Sequence, residues 1–368
     1  MRSNRIGPIL DDFVFEKLSM ATGQKNRMKC PVCGGDCVEY AHDLLLSTGQ
    51  VFSPCPECHG RVLDKRAPLK NRFYEPPCAC GKRFIDEVFA HIYVVMIEGG
   101  LITGSEPLAK VGMPLIHPGF VMREPPYLPA RSLVLVSGVV NREVAERLFN
   151  EVPEIRGVVR CGDFVPGIAD PELGGEPRVY DLLTGCDVRA SIFPTSSGPL
   201  VLYQQQSQIH IEFPRNFNPK IDSVERKITL NTRWFVDAAC GIGTLGLTAA
   251  RLGVPHIVMN DAWFSAAFWS AYNISINSEF LAVDEVVMHK TYDEMKARPV
   301  GRMPELVAEA RGRQSIEVYH GDLADLYRVL PGVPVLTALD LFNKENTGLI
   351  KHITGMYREH VSGEVFIP

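Results

Sequence analysis

The sequence predicts an α/β protein with a Rossmann-like sheet at its C-terminus, preceded by a small αβ domain and a Cys-rich metal-binding module. Three observations predict this. From Trp234 the pattern runs strand, glycine turn, helix (WFVDAAC, GIGTLG, LTAARLG); residues 132–160 read as strand, helix, strand; and seven of the ten cysteines lie between Cys30 and Cys80. The expected divisions are 1–101 for the Cys-rich module, 102–230 for the middle domain with a Pro-rich linker, and 231–368 for the C-terminal domain.

With 368 residues, 46% of them hydrophobic and 22% charged, the chain can bury two or three cores. A net charge of -5 and a pI near 6.1 lack the basic excess of a whole-protein nucleic-acid surface, though a local patch can hide in an acidic average. No apolar run reaches the roughly 18 residues of a membrane helix, and the N-terminus has no signal-peptide core. The expectation is a cytoplasmic protein without a membrane partner.

Cys30 and Cys33 (CPVC) and Cys55 and Cys58 (CPEC) form two Cys-x-x-Cys knuckles about twenty residues apart, a spacing at which four thiolates can surround one structural zinc ion. Cys37, Cys78 and Cys80 are additional, and CACGK could supply a competing or second pair. Cys161, Cys186 and Cys240 stand alone and read as small buried apolar residues. Lys25, Arg27, Lys29, Arg61, Lys65, Arg66, Lys70, Arg72, Lys82 and Arg83 give this end a positive bias, with Tyr74 and Phe84 interleaved as candidates for stacking on a nucleobase. Residues 84–97 read as a helix or strand packed on the metal unit.

Six prolines between Ser105 and Pro129 are expected to break regular structure there. Beyond them, 132–140 reads as a buried strand, Asn141 as the N-cap of a helix over 142–152, and 155–160 as a second strand. Residues 200–213 end in alternation, with Ile209, Ile211 and Phe213 on one face, which predicts a half-exposed strand of the middle domain and places His210 on its wet side.

In the C-terminal part, Gly241, Gly243 and Gly246 let the backbone turn sharply and approach a ligand, while Asp237 at the strand end can accept hydrogen bonds from a cationic amino group. A second strand, 256–260, ends in Asp261, placed to bind two ribose hydroxyls. A third, 316–319, leads to Gly321 and Asp322, which can hold an adenine amino group. A dinucleotide site shares much of this pattern, but usually has an apolar residue where Asp237 stands. Trp263 and Phe264 follow as adenine-stacking or core residues.

Asp237, Gly241, Gly243, Gly246, Asn260, Asp261, Gly321 and Asp322 resemble the signature of class I S-adenosylmethionine-dependent methyltransferases, over about 217–368. The run 260–277, with Asn273 and Asn277, looks like the corresponding helix of archaeal tRNA guanine methyltransferases. FNPKIDSVERKI (217–228) is similar to a segment of that group and of its wybutosine-synthesis relatives. The resemblance implies S-adenosylmethionine as cofactor and RNA, a tRNA base first, as acceptor.

It departs from base methyltransferases at 335–343 (VLTALDLFN), where an Asn-Pro-Pro is replaced. Asp340 and Asn343 are there the candidates for positioning the acceptor or taking its proton. The usual closing antiparallel hairpin is missing after 364–368, the expected fifth strand. A small molecule or protein side chain as acceptor, aminocarboxypropyl transfer, and a non-catalytic zinc-containing scaffold stay open as alternatives.

Overall fold

A computed structural model describes residues 28–170, 173, 175–342 and 344–368. In chain order its elements are α1 (Ala41–Val51), β1 (Arg83–Phe84), α2 (Ile85–Glu98), β2 (Met113–Ile116), β3 (Tyr127–Leu128), β4 (Leu133–Ser137), α3 (Arg142–Glu151), β5 (Ile155–Arg160), β6 (Asp181–Gly185), β7 (Val188–Phe193) and β8 (Leu200–Gln205). There follow α4 (Pro219–Lys227), β9 (Trp234–Asp237), α5 (Thr244–Arg251), β10 (His256–Asp261), α6 (Phe264–Ile276), β11 (Val283–Met288), α7 (Tyr292–Lys296), β12 (Glu305–Gly312), β13 (Ser315–His320), β14 (Val335–Ala338), α8 (Thr347–His360) and β15 (Gly363–Phe366).

The larger sheet has the order β11-β12-β13-β10-β9-β14-β15, in which β13, β10, β9, β14 and β15 are parallel. The chain winds from β9 through β10 to β13, then returns to the other side of β9 as β14. This Rossmann-like reversal opens a crevice at the strands' C-terminal ends. The register puts Asp237 beside Met259 and Ala338, and Asp261 beside His320, so the acids predicted at successive strand ends share one edge.

Residues 363–366 do form a parallel fifth strand. The antiparallel hairpin missing after it lies instead at the opposite margin, where β11 and β12 pair with β13.

Helix α6 is apolar almost all round because it is covered on both sides: it packs on β10, β12 and β13 and, outwardly, on β8. The outer edge of β8 is satisfied by that helix. Asn273 accepts from Tyr203 N (2.8 Å) and donates to Tyr203 O (3.0 Å), and Asn277 does the same for Val201 N (3.1 Å) and Val201 O (2.7 Å). The strand expected over 200–213 therefore ends at Gln205. It is buried throughout, pairs with β7, and packs against α6 rather than standing half-exposed in the middle domain.

The second sheet, β2-β4-β5-β6, is built on the predicted strand-helix-strand unit, β4 and β5 being parallel with α3 between them. Asn141 caps α3 by accepting from Val144 N at 2.9 Å. The Pro-rich stretch is less irregular than expected: β2 contains Pro114, tolerated because β2 is an edge strand. Residues 85–98 form α2, which packs on α3. Beneath it Arg83 and Glu154, both buried, pair through two hydrogen bonds of 3.0 and 2.5 Å. Among the described residues no helix is long and apolar enough to cross a membrane.

Candidate functional site

The loop after β9 is shaped by two glycines with positive φ, Gly241 (53°) and Gly243 (89°), the second standing immediately before α5. Gly246 is needed for closeness: a Cβ there would lie 2.5 Å from Met259 Cγ and Sδ on β10. The loop closes over Asp237, whose Oδ2 accepts from Gly246 N at 2.8 Å while its buried Oδ1 has no partner. Burial pushes the Asp237 carboxyl up to about 7, against the pull of the Gly246 hydrogen bond.

Asp261 accepts from Gly241 N and Trp263 N, both at 2.9 Å, and burial lifts it to about 6. Asn260 ties the neighbouring loops by donating to Ala238 O (3.2 Å) and Gly321 O (3.0 Å). Asp322 accepts from Ala324 N at 2.9 Å at the start of a short helical turn. A cavity of about 520 Å³ touches Asp237, Gly241, Asp261, Trp263, Asp322 and Asp340 together. Gly243 and Gly246 stand behind this wall, shaping the loop. Trp263 donates its indole N–H to Gln208 O (2.9 Å), whereas Phe264 is buried against Tyr292 and is core.

The opposite wall carries charge that sequence reasoning did not collect. Lys220 Nζ lies 2.7 Å from Asp340 Oδ2 and 3.5 Å from Glu212 Oε1, Lys344 Nζ is 2.7 Å from Asp340 Oδ1, and His210 Nε2 is 3.3 Å from Glu212 Oε1. Burial opposes ionisation of Glu212 and Lys220, but the opposite charges prevail: His210 and Lys220 hold Glu212 below its ordinary value, and Asp340 and Glu212 hold Lys220 above its own.

His210 thus faces the cavity, with its ring edge-on to Phe342 at 5.2 Å. The signal for Lys220 was the segment 217–228, whose Asn218 also caps α4. Asp340 does not cap the helix that follows, since Asn346 does so by accepting from Leu349 N. Asn343 lies outside the described residues.

The thiols expected to share one ion are divided. Cys30 and Cys33 join Cys37 and Cys186, whereas Cys55 and Cys58 join Cys78 and Cys80; within each group the four sulfurs lie within 4.8 Å of one another. Sulfur separations of 3.9 Å (Cys30–Cys186), 3.4 Å (Cys33–Cys37), 3.6 Å (Cys37–Cys186), 3.7 Å (Cys55–Cys78) and 3.5 Å (Cys58–Cys80) sit near the ~3.8 Å edge of a tetrahedron with ~2.3 Å metal–sulfur bonds. None of these thiols is in a disulfide. The extra members Cys37, Cys78 and Cys80 were visible as close neighbours of the knuckles; Cys186 had no local signal.

The surroundings of the second group also differ from expectation. Phe84 is buried, and Tyr74, partly buried, has one ring face stacked on His91 at 3.9 Å. Arg83 is buried on Glu154, and Arg61 and Lys65 pair with Glu87 and Asp86. Arg66, Lys70 and Arg72 are exposed and in no ion pair among the described residues.

No protein-family model matches the sequence, and no curated protein matches it. Solved structures that align with the chain include TYW2 from Pyrococcus horikoshii in complex with MeSAdo, at 17% identity and TM-score 0.35 over 64% of this chain and 67% of that one. They also include Trm1 from Pyrococcus horikoshii with S-adenosyl-L-methionine (17%, 0.32, 48% and 42%) and Trm5b from Pyrococcus abyssi (11%, 0.32, 61% and 54%). The alignment spans less than two thirds of the length of the last two.

Proposed function

We propose that the chain is an S-adenosylmethionine-dependent transferase whose cofactor lies in the cavity at the C-terminal edge of the large sheet. The observation that carries this is Asp237: a buried carboxylate with one oxygen unpartnered, on the wall of a cavity it shares with Asp261 and Asp322 among other charged groups, asks for a cationic ligand group. The α-amino group of S-adenosylmethionine supplies one, Asp261 offers lone pairs to ribose hydroxyls, and Asp322 is the candidate to hold an adenine amino group. Dinucleotide-binding loops usually carry an apolar residue where Asp237 stands, which disfavours a dinucleotide.

Once bound, the cofactor supplies a sulfonium-activated carbon, so the protein's task is mainly positioning. Asp340 is the residue placed to orient an acceptor. With each oxygen held by a lysine ammonium, it acts better as a fixed acceptor of a hydrogen bond than as a free base. The sequence resemblance makes a tRNA base the first acceptor to test, and the exposed Arg66, Lys70 and Arg72 supply cations for phosphate. In each Cys group four thiolates would hold a structural zinc ion.

Calorimetric titration of the full chain with S-adenosylmethionine and, separately, NAD tests the cofactor. Saturable binding of the first alone is expected; binding of NAD alone, or of neither, overturns the reading. Asp340→Asn should lower turnover on a tRNA acceptor by about tenfold with cofactor affinity kept. The mass gained by the product distinguishes methyl from aminocarboxypropyl transfer.

A further inference from the structure

The sulfurs of Cys30, Cys33, Cys37 and Cys186 come together from two remote parts of the chain. Cys37 and Cys186 are 149 residues apart in sequence, and Cys186 follows directly on β6. Four thiolates around a divalent ion carry an excess of two negative charges, which a buried setting must balance. Arg156 on β5 supplies one of the balancing charges. It is 9% exposed, donates Nη2 to Cys37 O at 2.5 Å, and keeps a buried Nε without a partner beside these cysteines.

The same knuckle is fastened to the cofactor half. Glu39 N donates to the Tyr203 hydroxyl (3.0 Å) on β8, and the Tyr272 hydroxyl donates to Lys29 O (2.8 Å) from α6. Tyr203 is itself held by Asn273 of α6. Helix α6 starts three residues after Asp261, so one end of it serves the cavity and the other the thiol group. Among the described residues no hydrogen bond ties the second group to α6: its neighbour Lys82 donates to Gln50 O and Ser53 O, within the N-terminal part.

We infer that Cys30, Cys33, Cys37 and Cys186 form a closed four-thiolate site for one zinc ion, separate from a second zinc site at Cys55, Cys58, Cys78 and Cys80. The ion at the first site braces α6, so its occupancy, and not that of the second, sets the rigidity of that helix and with it the affinity for S-adenosylmethionine. Only the affinity clause rests on the cofactor reading above.

The test begins with elemental analysis of the full chain purified without chelator, where two zinc ions per chain are expected. After competition with a zinc-binding dye, Cys186→Ala and Cys80→Ala should each keep one ion. Amide hydrogen exchange across α6 should rise in Cys186→Ala and stay at the wild-type level in Cys80→Ala. S-adenosylmethionine affinity should fall about tenfold in Cys186→Ala alone.

One ion or none in the wild type, or two ions kept by Cys186→Ala, overturns the site; equal exchange in the two variants overturns the brace. Should Cys186→Ala fail to fold, cobalt titration of metal-stripped wild-type protein decides, since one equivalent of thiolate-to-cobalt charge-transfer absorption instead of two refutes the pair of sites. A wild type that holds two zinc ions but does not bind S-adenosylmethionine refutes the cofactor reading and leaves the exchange result to judge the brace.

Discussion

At the scale of single residues, the two raised carboxyls make the strongest demands. Asp237 at about 7 and Asp261 at about 6 both gain protons as pH falls, and a protonated acid neither attracts an ammonium group nor accepts through both oxygens. Affinity for S-adenosylmethionine, followed by titration calorimetry, should therefore weaken steadily between about pH 8 and about pH 5.5, and Asp237→Asn should remove the upper part of the decline. Folding has the opposite sign. Both groups lie above their ordinary 3.8, so protonation favours the folded state, and that contribution is lost as pH rises through about 6 to 7. Asp261→Ala should lower cofactor affinity about tenfold or more, since hydrogen bonds to a charged group contribute ~1.5–3 kcal/mol each. Unchanged affinity in that variant would remove Asp261 from the site.

At the scale of elements, the loop between β9 and α5 was legible because only glycine fits where a Cβ would meet Met259, and because an acid at a strand end has few structural uses. Gly246→Ala should destabilise by ~1–3 kcal/mol in urea unfolding by forcing α5 away from β10. Strand β8 was misread for a physical reason: the alternation of Ile209, Ile211 and Phe213 imitates a strand, whereas the residues that do pair include Gln204 and Gln205, buried by their packing against other elements. What holds the outer edge of β8 lies on α6, about 70 residues further along, where single-sequence periodicity has no purchase. Asn277→Ala should leave Val201 N and O unpaired and destabilise by ~1–3 kcal/mol, measured by the same unfolding. Cys186 was hidden for the same reason, its partners being close only in the folded chain. Lys220 and Glu212 were hidden because neither is informative until Asp340 stands between two lysines.

At the scale of the whole molecule, a net charge of -5 conceals an uneven distribution. If Arg66, Lys70 and Arg72 meet phosphate, binding of tRNA should weaken as salt rises. Replacing all three with glutamine should then reduce the slope of log affinity against log salt by about two to three. An unchanged slope would place any RNA contact elsewhere. The sheet that organises the cavity has two open margins, β11 and β15, each paired on one side only among the described residues. Unpaired strand edges invite pairing with other chains. Here the β11 margin carries the exposed acids Asp284 and Glu285, so approaching copies meet like charge there before backbone can pair, whereas Glu364 on β15 is paired with Lys227. The sequence that builds the pocket thus also guards the β11 side of the sheet against further growth, and replacing Asp284 and Glu285 by neutral residues should raise self-association, measured by sedimentation.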